Sequence, residues 1–154
     1  MIALLQRVLE ASVTVDEHVI GAIGPGLLAF VGFEREDRSE DTKRLVNRML
    51  GYRLFNDSRG LMNRSLIDTG AGLLLVPQFT LAADTDTGLR PSFSHAAAAP
   101  EGRVLFDETA AYARSRHAGT VEIGRFGAHM RVHLINDGPA TFWLRTAKAL
   151  VSPG

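Results

Sequence analysis

Short apolar runs separated by glycine, proline and acidic turns fill the first thirty-odd residues of this chain. Val13 and Val15 alternate with polar neighbours, Asp16-Glu17 supplies a turn, and the apolar run 27–31 follows Gly-Pro-Gly. Alternation with a period of two is typical of a β-strand with one buried face, and a short unbroken run is typical of a fully buried strand. The start of the chain therefore predicts strands joined by turns.

Two later segments repeat their apolar residues at helical spacing. In the first, Ser39 is placed as the N-cap, Gly51 ends the segment, and one face carries Leu45, Val46, Met49 and Leu50. The second runs from about Glu101 to Arg116, and we expect one face to hold Val104, Leu105, Glu108, Ala111 and Tyr112. The sequence therefore predicts two helices between groups of strands.

The rest of the chain predicts further strands joined by turns and one long loop. Residues 73–76 form a buried apolar run, residues 56–60 are typical of a turn, and residues 130–135 alternate until Gly138-Pro139 interrupts them. Residues 82–100 predict a long loop, and a loop of this length in a compact domain more often has a function than not. We expect one α/β domain over residues 1–154, with a mainly antiparallel sheet curled into a barrel-like core and two helices.

Composition excludes several classes of protein and of site. The chain has no cysteine, which excludes disulfides, thiol nucleophiles and thiolate metal sites. It shows neither the features of a signal peptide nor the roughly 18 apolar residues of a membrane helix, so we expect a cytoplasmic protein without a membrane partner. The charges of the 17 basic and 17 acidic residues cancel, so the formal net charge is zero. We therefore expect no DNA partner, and any contact with RNA to be small and confined to a terminus.

The sequence lacks the ordinary catalytic motifs. It has no Gly-x-Ser-x-Gly elbow, no His-Glu-x-x-His motif and no Gly-x-x-x-x-Gly-Lys loop. His129 and His133 have the spacing of metal ligands on a helix, but on a strand four residues separate them by roughly 13 Å, so we expect no metal. Ser92, Ser94 and His95 form the one local serine and histidine group, and no acid is placed to orient the histidine. An activated nucleophile is therefore not expected.

Six strings, taken in order, resemble one protein family. They are Gln6-Arg7-Val8 with residues 11–15, then residues 24–28, 78–85, 90–94 and 124–130, and finally Asn136-Asp137-Gly138-Pro139. Together they resemble the D-aminoacyl-tRNA deacylases from Met1 to about Leu144. These enzymes remove D-amino acids from charged tRNA. The resemblance implies a small α/β barrel-like fold that forms a homodimer.

One position departs from the family pattern. The segment 77–81, which we call the first signature, usually begins with Ser in the family, whereas Pro77 stands there in this chain. A related group of deacylases, which acts on an L-amino acid of mischarged tRNA, also has Pro there but has Ala in place of Phe79. Phe79, Asn136-Asp137 and Arg7 favour the D-specific group.

The first signature supplies the expected reacting centre. Thr80 offers a hydroxyl, but a threonine nucleophile needs a neighbouring base, and the sequence shows none. We expect the backbone N–H groups of Phe79 and Thr80 to stabilise the oxyanion that develops on the ester carbonyl. Gln78 has an amide that either positions the substrate or braces the loop. Alternatively, Thr80 is a residue that packs at a strand end.

The segment 136–141, which we call the second signature, is expected to set stereospecificity. Gly138-Pro139 alone is typical of a turn. The resemblance implies that this dipeptide is a chiral filter, supplied by one subunit to the site of the other, and that Arg7 helps to hold it. The sequence leaves the isomer of the bond open, since only about 5–6% of X-Pro bonds in folded proteins are cis.

Three further residues have two interpretations each. Phe126 and Met130 are core residues or, as the resemblance implies, line the pocket for the terminal adenosine, where an aromatic ring and a thioether suit the flat face of a base. Trp143 is expected in the core or in the dimer interface.

The resemblance implies hydrolysis of the ester between a D-amino acid and the 3′ end of tRNA, a chiral proofreading step of translation, without cofactor or metal. The ribose 2′-hydroxyl is the group expected to activate water, and glycine, which has no side chain to reject, is an expected second substrate. Two alternatives stay open. One is an editing enzyme for an L-amino acid on mischarged tRNA, which Pro77 supports, and the other is a non-catalytic module that binds the RNA end.

Overall fold

The computed structural model describes residues 1–146, which fold around a six-stranded sheet. The strands of this sheet are β1 (Ile2–Val15), β2 (His18–Ile23), β3 (Gly26–Gly32), β6 (Gly72–Pro77), β7 (Val121–Ile123) and β8 (Arg131–Arg145). A separate ribbon consists of β4 (Phe55–Asn56) and β5 (Met62–Arg64). The helices are α1 (Ser39–Gly51), α2 (Leu66–Thr69) and α3 (Ala99–Arg116), with one 3₁₀ turn at Phe79–Ala82.

The long strand β1 organises the sheet. One of its edges pairs with β8 along nearly its whole length, and the other pairs with β3 through its first half and with β2 through its second. These three pairings are antiparallel, whereas β3 with β6 and β6 with β7 are parallel. A Cβ atom on Gly21 of β2 would lie 3.0 Å from the carbonyl oxygen of Ile123 in β7, so the sheet curls until it nearly closes. The predicted barrel-like α/β fold is confirmed.

Two apolar cores lie on the two faces of the curled sheet. The larger one packs β1, β3 and β6 against α1 and α3, and includes Leu5, Leu27, Leu45 and Phe106. The smaller one fills the inside of the curl, with Val13, Leu28, Leu74 and Val76 among its members. Strands that are buried on both faces need unbroken apolar runs, which explains the runs at 27–31 and 73–76.

The first helix agrees with its prediction except at its cap. Leu45, Val46, Met49 and Leu50 are all buried. However, Ser39 is the first helical residue rather than the N-cap, which is Arg38. The Arg38 N–H donates to the Asp41 carboxylate at 2.9 Å, so an acid in the first turn satisfies a donor at the helix start.

The second predicted helix, α3, buries a different face from the one expected. Of the predicted face only Leu105 is buried, while Val104 is 55% exposed and Ala111 is also exposed. The buried residues are Gly102, Leu105, Phe106, Thr109, Ala110 and Ala113. The face is rotated towards Phe106, whose large ring excludes more water than Val104 can. The short helix α2 was not predicted.

The Gly-Pro dipeptide lies within strand β8 instead of between two strands. Thr141 of β8 faces Gln6 and Asn136 faces Val8, so β8 advances five residues while β1 advances two. The additional residues form a bulge, 137–140, which we call the Gly-Pro bulge. Its Gly138-Pro139 peptide bond is cis, and both residues are exposed.

Candidate active site

The first signature turns sharply at the end of a buried strand. Pro77 ends β6 opposite Val31 of β3, and the Gln78 N–H donates to the Val31 carbonyl at 2.8 Å. The chain then enters the 3₁₀ turn. A Cβ atom on neighbouring Gly32 would lie 2.8 Å from the Gln78 carbonyl oxygen and 3.0 Å from the Leu81 Cβ atom. Only glycine at that position leaves the turn room to pack against β3.

The 3₁₀ turn begins with two backbone donors that its own hydrogen bonds do not use. Leu81 N–H donates to the Gln78 carbonyl and Ala83 N–H to the Thr80 carbonyl, at 3.2 and 3.1 Å. Phe79 and Thr80 are the first residues of the turn, where N–H groups have no acceptor within the helix. Among residues 1–146 they have no other acceptor either. These are the two donors that were predicted to stabilise an oxyanion.

The Thr80 hydroxyl has a partner that cannot act as a base. Its Oγ1 accepts a hydrogen bond from Gln78 Nε2 at 2.5 Å. A side-chain amide nitrogen is a donor and takes no proton from a hydroxyl. The contact therefore braces the turn and gives Thr80 no activation as a nucleophile.

A cavity of about 640 Å³ opens beside the 3₁₀ turn. This cavity, which we call the aromatic cavity, is lined by Arg35, Pro77, Phe79, Phe93, residues 96–99, Glu101, Phe126 and Gly127. Phe79 and Phe93 are 56% and 42% exposed, and their ring centroids lie 5.1 Å apart. Small alanines and half-exposed rings leave a slot that suits a flat aromatic ligand.

The predicted adenosine residues lie at different depths. Phe126 lines the aromatic cavity, with its ring held between Phe106, at 6.5 Å between centroids, and the Arg103 guanidinium. Met130 packs on the inner core of the curl and does not line the cavity. Its sulfur lies 2.8 Å from where a Cβ atom of Gly124 would be, and Pro77 Cδ lies 3.2 Å from the same point. Met130 thus supports the cavity wall from behind.

Arg7 holds the Gly-Pro bulge. Its side chain is buried, and Nε lies 3.0 Å from both the carbonyl oxygen and the Oδ2 atom of Asp137. Nη1 donates to the Leu54 carbonyl at 2.6 Å, with Asn56 Oδ1 at 3.4 Å. The guanidinium therefore ties the bulge to the β4 segment, which is the contact that a filter-supporting role requires.

Asn136 closes the same bulge across its base. Its Nδ2 donates to the carbonyl oxygens of Arg7 and Ala140, at 2.9 and 3.2 Å. A Cβ atom on Gly138 would lie 2.5 Å from Asn136 Oδ1 and 2.8 Å from the Ala140 nitrogen. A side chain at position 138 would therefore displace the bulge, which explains the glycine.

The two signatures do not meet within the described part of one chain. Neither Gly138 nor Pro139 lines the aromatic cavity, while Phe79 of the first signature does. Arg7, Asn136 and the Gly-Pro bulge form one cluster. Phe79 lines the aromatic cavity, and its chain neighbours Gln78 and Thr80 are hydrogen-bonded to each other beside it. The structure thus brings the predicted site residues together in two groups.

Four features of the cavity wall were not predicted from the sequence: Phe93, Arg35, the alanines 96–99 and Glu101. Phe93 could have been found as an aromatic residue in a polar loop. Glu101 was placed at a helix start, and nothing in the sequence indicated that this residue lines a cavity. The Ser92 hydroxyl donates to Ser94 at 3.2 Å rather than to His95. Trp143 is 55% exposed, which excludes the core and leaves the dimer interface as its predicted place.

Comparison with known proteins identifies the family. The family model described as D-Tyr-tRNA(Tyr) deacylase matches residues 4–145. The chain belongs to this deacylase family. A D-aminoacyl-tRNA deacylase of Xanthomonas campestris is 60% identical over 145 residues, which cover 94% of this chain and 99% of the relative. That of Thioalkalivibrio sulfidiphilus is 60% identical over 144 residues, 94% of this chain and 96% of the relative.

Two solved structures share the fold of this chain. The structure named c-Myc DNA Unwinding Element Binding Protein superposes with a TM-score of 0.92 at 33% identity and covers 96% of this chain and 100% of its own. A probable eukaryotic D-amino acid tRNA deacylase superposes with a TM-score of 0.79 at 19% identity, with 93% and 97% covered. The second likeness shows the fold alone.

Proposed function

We propose that this protein hydrolyses the ester bond between a D-amino acid and the 3′-terminal adenosine of tRNA. One observation carries the proposal: the available N–H groups of Phe79 and Thr80 begin the 3₁₀ turn, whose Phe79 lines a cavity shaped for a flat ligand, in a chain of the deacylase family. A ligand that brings its own reactive hydroxyl needs backbone donors and positioning rather than a side-chain nucleophile.

The reaction then depends on the substrate for its proton transfer. The oxygen of water attacks the ester carbonyl, and the N–H groups of Phe79 and Thr80 stabilise the oxyanion. The ribose 2′-hydroxyl accepts a proton from water as it passes its own to the departing 3′-oxygen. The carbonyl carbon to 3′-oxygen bond breaks, releasing the amino acid and tRNA. Among residues 1–146, Glu101 is the one carboxylate that lines the cavity, and it is the competing candidate for a base.

The proposal includes a homodimer in which Gly138-Pro139 of one subunit completes the site of the other. The Gly-Pro bulge is exposed and absent from the cavity of its own chain. Within residues 1–146, β8 pairs with β1 along only one edge, so its other edge is open. Open strand edges need cover, and exposed Ile135 and Trp143 on β8 give a second copy apolar surface to bury.

Chirality in this proposal is enforced by exclusion. Main-chain oxygens of the Gly-Pro bulge occupy the space that an L side chain needs, whereas the D side chain points away. Side-chain identity then matters little, and glycine esters are hydrolysed as well. A filter built of backbone held by buried Arg7 is rigid enough for this purpose.

The remaining expectations follow from this function. We propose that residues 1–154 act as a single domain, in the cytoplasm, where aminoacyl-tRNA is its partner in chiral proofreading. No helix within residues 1–146 has the length and apolarity to cross a membrane. The sibling activity on an L-amino acid is the second candidate, because Pro77 stands at the head of the first signature.

The deciding experiment compares D-Tyr-tRNA, L-Tyr-tRNA and Gly-tRNA as substrates under the same conditions. We expect rapid release from D-Tyr-tRNA and Gly-tRNA, and intact L-Tyr-tRNA. Faster hydrolysis of the L ester would favour the sibling activity. Binding of a non-hydrolysable 3′-aminoacyl-adenosine analogue without turnover of any ester would favour the binding module instead.

A further inference from the structure

The guanidinium group of Arg103 lies against the wall of the aromatic cavity. It forms no ion pair with a carboxylate of residues 1–146. Arg103 Cζ is 5.2 Å from the ring centroid of Phe126, a distance typical of a cation–π contact. Its Nη2 donates to the Phe126 carbonyl at 3.3 Å. Within the described part of the chain, no acidic group forms an ion pair with Arg103.

The packing around Arg103 fixes this arrangement. Arg103 is in α3, and a Cβ atom on its neighbour Gly102 would lie 3.0 Å from Phe126 Cζ, so the helix backbone lies directly against the ring. On the other side, Arg103 Nη2 lies 3.6 Å from where a Cβ atom of Gly127 would be. Phe126 and Gly127 both line the aromatic cavity, which places the guanidinium at its edge.

We propose that Arg103 binds the phosphodiester group that joins the terminal adenosine of tRNA to the preceding nucleotide. The inference rests on the proposed function, in which Phe126 contacts the adenosine. The 5′-phosphate is one ribose away from the base, and the guanidinium is stacked on the ring at the cavity edge. A guanidinium has five N–H donors, and the Phe126 carbonyl uses one of them, so enough remain to donate to a pair of phosphate oxygens.

The charge around the cavity suits a single phosphate. Arg35 lines the cavity and Arg125 precedes Phe126, while Glu101 is the carboxylate among the described lining residues. The chain as a whole has 17 basic and 17 acidic residues. A protein without a basic excess does not hold a long stretch of nucleic-acid backbone. One pre-oriented arginine at the cavity edge adds affinity for the end of the RNA without such an excess.

A binding experiment measures how much the phosphate group alone contributes to affinity. Adenosine 5′-monophosphate and adenosine differ only in the group that Arg103 is proposed to hold. We expect the unaltered protein to bind the monophosphate on the order of tenfold more tightly than adenosine, and Arg103→Gln to bind the two equally. Arg103→Lys retains the charge but loses the paired N–H donors of the guanidinium. Its preference for the monophosphate should lie between that of the unaltered protein and that of Arg103→Gln. Arg116→Gln, at the other end of α3, is the matched control and should leave the preference unchanged.

Kinetics separate phosphate binding from support of the Phe126 ring. Arg103→Gln should raise KM for D-aminoacyl-tRNA about tenfold. The same variant should leave KM unchanged for a D-aminoacyl ester of adenosine, which has no phosphate. An equal effect on both substrates, or an unchanged preference for the monophosphate, would overturn the proposal. If the unaltered protein hydrolyses neither D ester, the proposed function fails, while the binding comparison of adenosine with its monophosphate still decides the phosphate site.

Discussion

Replacing Arg7 by Met tests whether the Gly-Pro bulge acts as a filter that one buried side chain holds. The substitution keeps the apolar stem and removes the donors to the carbonyl oxygens of Asp137 and Leu54, at 3.0 and 2.6 Å. A buried acceptor left without a partner costs about 1–3 kcal/mol, and the partly buried Asp137 carbonyl lies at the low end of that range. The ion pair with the Asp137 carboxylate adds little, because that side chain is 47% exposed. We expect a loss of about 2–4 kcal/mol in the free energy of unfolding.

Two measurements are needed on this variant. Urea unfolding gives the change in stability, with an unchanged m-value if the folded state is otherwise intact. The ratio of D-Tyr-tRNA to L-Tyr-tRNA hydrolysis reports on the filter, and we expect it to fall because the loosened bulge admits L side chains. Asp137→Asn is the matched control, since it removes the ion pair and keeps the backbone acceptor, and it should cost less than about 1 kcal/mol.

The two measurements separate two roles for Arg7. A destabilised Arg7→Met protein with an unchanged D to L ratio would show that Arg7 stabilises the fold and has no part in stereospecificity. An unchanged stability would refute the reasoning from the hydrogen bonds themselves. If Asp137→Asn lost as much free energy of unfolding as Arg7→Met, the ion pair, and not the backbone acceptors, would hold the bulge.

Three further predictions concern the reacting centre and the dimer. Thr80→Val should retain appreciable activity, while Thr80→Pro deletes a backbone donor and should lose about 10²–10³-fold in kcat; an inactive but folded valine variant would restore the nucleophile interpretation. A substrate ending in 2′-deoxyadenosine should bind normally but be hydrolysed slowly, and Glu101→Gln should act on the normal substrate nearly as well as the unaltered protein. Normal turnover of the 2′-deoxy substrate together with an inactive Glu101→Gln would make Glu101 the base. Thr80→Pro and Gly138→Leu, each inactive alone, should regain activity when their subunits exchange, because a mixed dimer has one site with neither lesion; proven exchange without recovery would place each site within one chain.

The amino-acid sequence was sufficient to predict most of the strands and the family. Alternation around Val13 and Val15, and apolar runs at 27–31 and 73–76, depend on local spacing and on which faces of a strand are buried. The family strings depend on residue identity in order along the chain, which needs no coordinates. For the same reason the sequence could indicate Phe79, Gly138-Pro139 and Arg7 as candidates before their surroundings were known.

The sequence was less informative where competing local patterns have similar strength. In α3, both Val104 and Phe106 are apolar, and periodicity alone does not tell which of them faces the sheet. The tertiary structure decided for Phe106 because the larger ring packs between the sheet and Phe126. The Gly-Pro dipeptide likewise predicted a break, and only the pairing of β8 with β1 shows a bulge within one strand.

The sequence by itself determined the chemistry that this protein can use. It has no thiol and no ordinary catalytic motif, and its two signatures, 77–81 and 136–141, are expected to act through backbone groups. Only the tertiary structure decided which residues surround that chemistry. Arg7 meets Asp137, and Arg103 meets Phe126, across long stretches of chain because β1 pairs with β8 and α3 packs on the sheet. Contacts between distant residues depend on the path of the whole backbone, and no local pattern of residues contains that path.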